Sequence, residues 1–207
     1  SANFPLATYP LAALCLHTEF SPLPGLTFRE SLYNGVASDR INRQFRFCPR
    51  SDGMFNIGSL SYHIGEEDRH HGYYAVGYAL GSSPSETSAD KTFNYALWTL
   101  IEQPLLHVGE SHLGAMWQGG TSPASRSTCR HYWGAGLIWS NIPPQMTQVG
   151  LVVNRALYAD GRETDVELTG SFPVCNHFTL QPAVHCINTN GNYTAAAQLR
   201  AILEFGN

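Results

Sequence analysis

Late in the chain stand the polar residues Asn154, Glu167, Thr169, Gln181, His185, Gln198, Arg200 and Glu204. They matter because of their phase. In the stretch from Glu163 to Asn192, Val166, Leu168, Gly170 and Phe172 fall on one side at period two, and Glu167, Thr169 and Ser171 on the other. After Cys175-Asn176-His177 the alternation resumes, with Phe178, Leu180, Pro182, Val184 and Cys186 set against Thr179, Gln181, Ala183 and His185. Successive side chains on a strand point to opposite faces, so this predicts a hairpin with one apolar and one polar wall. The donors and acceptors of Glu, Gln and Arg beside aromatic rings suit a polar solute such as a sugar. The same polarity is required of any water-filled barrel interior, whatever passes through it.

Other chemistries find less support. His70-His71 follows Glu66, Glu67 and Asp68, but adjacent turn residues do not share a face. No H-x-x-x-H or Cys/His metal spacing occurs, so the segment reads as a solvated turn and no metal site or cofactor is expected. A hydrolase needs a nucleophile near a base; there is no G-x-S-x-G, and Ser125 and Ser127 sit in a polar loop, so no enzyme is expected. With net charge −4 and a single lysine, Lys91, no basic patch points to nucleic acid. Cys15, Cys48, Cys129, Cys175 and Cys186 contain no C-x-x-C pair, and their odd number leaves at least one free thiol.

The elements that would position the polar face are strands. Only 14% of residues are charged, against roughly 25% in soluble domains. Yet the longest apolar run, Tyr9 to Leu16, has eight residues, short of the ~18 of a membrane helix. Low charge, 19 glycines, 12% aromatics and evenly spaced strands fit an antiparallel transmembrane β-barrel. Strands are expected at Leu11–Phe20, Leu26–Tyr33, Met54–Ile64, Tyr73–Leu80, Phe93–Ile101, His112–Gly119, Arg130–Asn141, Thr147–Tyr158, the two arms of the hairpin, and Tyr193–Phe205. Gln44–Cys48 reads as a short strand or the lip of the next, and the facing of Met54–Ile64 is not assignable from pattern. Gln103 to Glu110 reads as a loop. Thr194–Phe205 and Phe93–Gln103 contain good helix formers, but their alternation also works as strand, and strand is the expectation. Tyr74, Tyr78, Trp117, Trp133 and Trp139 share the apolar phase and are expected in an aromatic girdle.

Several segments, in order, resemble the carbohydrate-selective porin family, the OprB-like outer-membrane proteins. They are Asn3-Phe4-Pro5-Leu6 with Tyr9-Pro10-Leu11-Ala12-Ala13-Leu14, Gly53 through Tyr62, Glu102-Gln103-Pro104-Leu105, Trp133-Gly134-Ala135-Gly136-Leu137 with Ile142-Pro143, and Leu180 through Ile187. Departures are Cys15 where glycine is expected, and Ser59 and Ala183 where an acid is usual. The resemblance implies a bacterial outer-membrane protein, in contact with outer-membrane lipid, through which sugars or small polar solutes diffuse passively. It also implies about 16 strands in a barrel roughly twice this length, so the chain resembles the C-terminal half of such a porin.

Residues 1–207 are expected to form a single porin-like barrel domain of about 10–12 strands, either by themselves or as part of a larger barrel. A backward walk from a periplasmic Phe205 counts 11 strands. Barrels of this class have even numbers. The expectation is therefore that the chain is not a complete porin, and that a missing N-terminal half or a second chain completes it. The alternative is a structural barrel that conducts nothing, since only the larger barrels leave a channel.

Overall fold

The computed structural model describes residues 12–36, 45–65, 72–84, 91–123, 127–144 and 147–204. The fold is all-β and antiparallel. Its strands are β1 (Cys15–Leu23), β2 (Leu26–Asn34), β3 (Met54–Ile64), β4 (Gly72–Pro84), β5 (Lys91–Val108), β6 (Ser111–Thr121), β7 (Cys129–Ile142), β8 (Thr147–Tyr158), β9 (Arg162–Cys175), β10 (Phe178–Thr189) and β11 (Asn192–Leu203). A one-turn helix, α1 (Pro49–Asp52), precedes β3. The 11 strands form one sheet in sequence order, each hydrogen-bonded to its neighbour in the chain. Among the described residues no ladder joins β1 to β11, so both are edge strands.

Tight turns set the registers. Asn190 and Gly191 both adopt positive φ, 54° and 96°. That is the requirement of a type I′ hairpin, whose twist matches the flanking strands. It aligns Thr189 with Asn192 and carries the β10–β11 ladder without a shift down to Phe178 opposite Leu203. The helix-forming Ala195, Ala196, Ala197 and Leu199 are thereby strand residues, because twelve ladder pairs outweigh a weak local preference.

Three expectations are corrected. The loop expected at Gln103–Glu110 is strand up to Val108, followed by a turn at Gly109-Glu110. Pro104 lies within β5; its fixed φ is compatible with extended backbone, so it does not end the strand. Residues 45–48 are not a strand; they lead into α1, whose Pro49 fits the first helical turn. The first strand, expected to end at Phe20, runs on to Leu23. Residues 1–11, 37–44, 66–71, 85–90, 124–126, 145–146 and 205–207, with the expectations that fall on them, lie outside the described residues.

The chain divides into two compact units. The first comprises Ser1–His63, Tyr74–Thr99 and Gly120–His131; the second comprises Ile64–Tyr73, Leu100–Gly119 and Tyr132–Asn207. In the first, β2 and β3 pair with Leu26 opposite Tyr62 and Asn34 opposite Met54. Phe55, 5% exposed, packs with Ala79, Tyr33, Ile57 and Ala96. Glycine makes room here: a Cβ on Gly77 would lie 2.3 Å from the Trp98 ring and 2.7 Å from the Gly58 carbonyl oxygen. The facing of β3 is now defined: Phe55 and Ser61 are buried, while Met54, Leu60, Tyr62 and Ile64 are exposed.

In the second unit the burial pattern is the reverse of a soluble domain. Leu151 (49%), Leu168 (54%) and Val184 (54%) are exposed, and the polar residues between them are half-buried. No disulfide joins the five cysteines, all of which are among the described residues.

The glycine contacts generate a paired expectation. Gly77→Ala pushes a methyl group into the Trp98 ring and the Gly58 backbone, and overpacking of that kind costs about 1–3 kcal/mol. Gly114→Ala meets only the Gln103 carbonyl oxygen, at 3.7 Å, and should be neutral. Thermal unfolding of the detergent-folded variants checks this; equal midpoints for both would contradict the packing described.

Candidate functional site: the polar strand faces

Register decides which side chains meet. In the second unit, rows of directly opposed residues cross four strands. Gly150 faces Thr169, Thr169 faces Ala183, and Ala183 faces Gln198. The next polar row is Val152, Glu167, His185 and Ala196. Between these two lies the apolar row Leu151, Leu168, Val184 and Ala197. Opposed residues share a face, so one side of β8–β11 gathers the polar residues and the other is mainly apolar.

On the polar side a hydrogen-bonded chain crosses from β6 to β8. Gln118 Nε2 lies 2.6 Å from the Tyr132 hydroxyl, which donates to Asn154 Oδ1 at 2.8 Å. Gly134 leaves room for this contact, since a Cβ there would lie 2.4 Å from Asn154 Oδ1. Gln181 Nε2 reaches Ser171 Oγ at 3.4 Å, and the Thr169 hydroxyl donates to the Pro182 carbonyl at 3.4 Å. His185 Nδ1 lies 3.0 Å from Asp165 Oδ2, with both side chains about one-fifth exposed (22% and 20%). Asp165 Oδ1 is buried without a hydrogen-bond partner.

Each residue singled out from the sequence now has a place. Asn154, Glu167, Thr169, Gln181 and His185 are half-buried on the polar face. Gln198 and Arg200 share that face on the edge strand β11, opposite Ala183 and Gln181, and both are exposed. Glu204 lies just beyond β11, where its backbone N–H donates to the His177 carbonyl at 3.0 Å. Sequence reasoning passed over Asp165. It lies two residues before Glu167 and so shares its phase, and that spacing was the available signal. Gln118 and Tyr132 were likewise missed as partners of Asn154.

The first unit has a polar face of its own, also missed. Arg29 Nε donates to Glu19 at 2.6 Å, and its Nη1 reaches Ser61 Oγ at 3.3 Å. His17 Nδ1 lies 2.7 Å from Ser31 Oγ. The alternation His17, Glu19 against Leu16, Phe20 carried the signal. The Arg29–Glu19 pair is largely solvated, so it contributes orientation more than stability.

The apolar faces carry the aromatics. Trp117 and Trp133 stack with ring centroids 6.0 Å apart and planes 9° from parallel, and both are exposed, as is Trp139. Tyr78 corrects the girdle expectation. It shares the apolar phase, but sits mid-strand with its hydroxyl 3.1 Å from both carboxylate oxygens of Glu30. Asn56 Nδ2 also donates to Glu30, and Gly58 leaves the space. A carboxylate on an otherwise apolar surface has thus collected two donors.

Three comparisons with known proteins follow from this geometry. No known family profile matches the chain, and no curated protein matches it. The structure is similar to the high-pH structure of OprB from Pseudomonas putida, with a TM-score of 0.72 and 13% sequence identity. The match covers 94% of this chain and 58% of that one, so the chain spans less than two-thirds of that protein's length. At this identity the likeness is one of fold. It bears out the sequence resemblance at that level: the chain is an antiparallel β sheet that fits part of a porin β-barrel such as that of OprB.

Proposed function

We propose that this chain is a non-enzymatic outer-membrane porin through which sugars or small polar solutes diffuse passively. The observation that carries the reading is the inverted alternation on a porin fold. Exposed Leu151, Leu168 and Val184 stand back to back with half-buried Asn154, Glu167 and His185. In a bilayer the first set meets acyl chains and the second lines the lumen. Trp117, Trp133 and Trp139 then contact lipid, where their amphipathic rings suit the interface.

On this reading Asn154, Glu167, Thr169, Gln181, His185, Gln198, Arg200 and Glu204 are the solute-contacting residues. Their carboxylates, amides and guanidinium supply paired donors and acceptors to hydroxyl-rich solutes. Residues 1–207 act as one barrel domain, supported by an unbroken ladder order through β5, β6 and β7, which contribute residues to both compact units. The edges of β1 and β11 are the places where a second chain, or further strands of a longer chain, would complete the wall. Unpaired backbone groups facing hydrocarbon cost several kcal/mol each, which favours such completion.

Two measurements test the reading. In planar bilayers the folded protein should give open-channel steps, and Arg200→Glu should shift the reversal potential towards cation selectivity. A bilayer without steps would identify a non-conducting barrel; steps with an unchanged reversal potential would place Arg200 off the permeation path. Second, single-tryptophan variants should separate the two faces. Trp139 should be quenched strongly by lipids brominated on their acyl chains, and Trp98, which packs over Gly77, much less. Preferential quenching of Trp139 by aqueous acrylamide would reverse the assignment of faces.

A further inference from the structure

We propose that Asp165, Glu167 and His185 form a binding site for a divalent transition-metal ion of the zinc class. Asp165 and Glu167 are two apart on β9 and so project from the same face. His185 on β10 is the direct cross-strand partner of Glu167. The three residues each offer one ligand atom, and these atoms all lie within 4.8 Å of one another. Around a tetrahedral ion with bonds of about 2.0–2.1 Å, ligand atoms stand roughly 3.3 Å apart. The His185 Nδ1 to Asp165 Oδ2 separation is 3.0 Å, close to that spacing, and Glu167 completes the set by moving in from within 4.8 Å.

The unmet bonding at Asp165 points to a ligand. Its Oδ1 is sealed from solvent and has no hydrogen-bond partner. An unpaired buried acceptor of this kind costs about 1–3 kcal/mol, more when charged. Among the described residues, neither carboxylate has a lysine or arginine within ion-pair distance. Directly opposite on β8 stand Asn154, whose Oδ1 is engaged by Tyr132, and Val152. Two carboxylates are therefore held together with one imidazole and no fixed cation. A divalent ion supplies the missing positive charge to this carboxylate pair. Metal binding at Nδ1 displaces the hydrogen bond to Asp165; the imidazole must be neutral there, with its remaining proton on Nε2.

The donor set selects the ion. One imidazole and two carboxylates suit zinc and its neighbours, whereas calcium takes six to eight oxygens. Three protein ligands leave a coordination position for water or for a group on a passing solute. The site stands on the β9–β10 register alone and does not depend on whether this face lines a pore.

The test uses the full chain folded in detergent without an affinity tag. Equilibrium dialysis against zinc chloride should show saturable binding at one ion per chain. His185→Ala and Asp165→Asn should each weaken it by at least about tenfold, the lower range seen even for residues that only support a ligand. His177→Ala, in the exposed β9–β10 turn, should bind as the parent does. Far-UV circular dichroism confirms that each variant keeps its strand content. X-ray absorption of the zinc-loaded parent gives a readout that no variant can confound: one imidazole with oxygen ligands is expected. No saturable binding, several imidazoles at the metal, equal competition by calcium, or unchanged affinity in folded His185→Ala and Asp165→Asn would each overturn the site.

Discussion

Everything in this structure depends on the antiparallel hydrogen-bond ladder between sequence neighbours. Side chains alternate with a strict period of two, so a one-residue slip would move every residue of a strand to the other face. The β10–β11 ladder runs without a shift, and β8–β9 likewise. That regularity converts a sequence alternation into continuous rows, with Leu151, Leu168, Val184 and Ala197 on one face. Val152, Glu167, His185 and Ala196 form the next row on the other. Neither row is stabilised by a buried core of the ordinary kind. Phe55, Ala75 and Ala79 are the buried hydrophobic residues among those described, while large side chains such as Phe20, Leu168, Leu199 and Trp139 are exposed. Such a surface is costly in water and natural in hydrocarbon.

The polar face is held differently from the apolar one. Its contacts are side-chain hydrogen bonds between adjacent strands: Tyr132 to Asn154, Gln181 to Ser171, His185 to Asp165. Glycine is what allows the bulky members. Gly134 yields to Asn154 and Gln118, and Gly136 yields to Val152 and Met116. The glycines thus set the shape of the polar face by giving its larger neighbours room. On the opposite face the Glu30 cluster shows the same principle under a harder constraint. An ionisable group on an apolar surface is expensive, so Tyr78 and Asn56 supply donors and Gly58 supplies room.

The two edges frame the limits of the sheet. β1 is exposed along its length and β11 almost so, and among the described residues each presents one row of backbone groups without a strand beside it. In a soluble protein such edges invite association. The fold likeness to OprB covers 58% of that longer chain.

The sequence by itself determined the strand class, most strand positions and the phase of the C-terminal hairpin, because period-two alternation is local and survives reading one residue at a time. It also determined the β11 strand against its alanine-rich propensity, since Gln198 and Arg200 alternate with Leu199 and Ala201. It misplaced the end of β5, because Pro104 suggests a turn locally while the ladder tolerates it. Tertiary structure alone decided the cross-strand meetings. Glu30 and Tyr78 are 48 residues apart, Gln118 and Tyr132 are 14 apart, and Asp165 and His185 are 20 apart. Those meetings follow from register, and register follows from turn geometry such as the paired positive φ of Asn190 and Gly191. Alternation tells which face a residue takes; only the closed turn tells which residue stands opposite it.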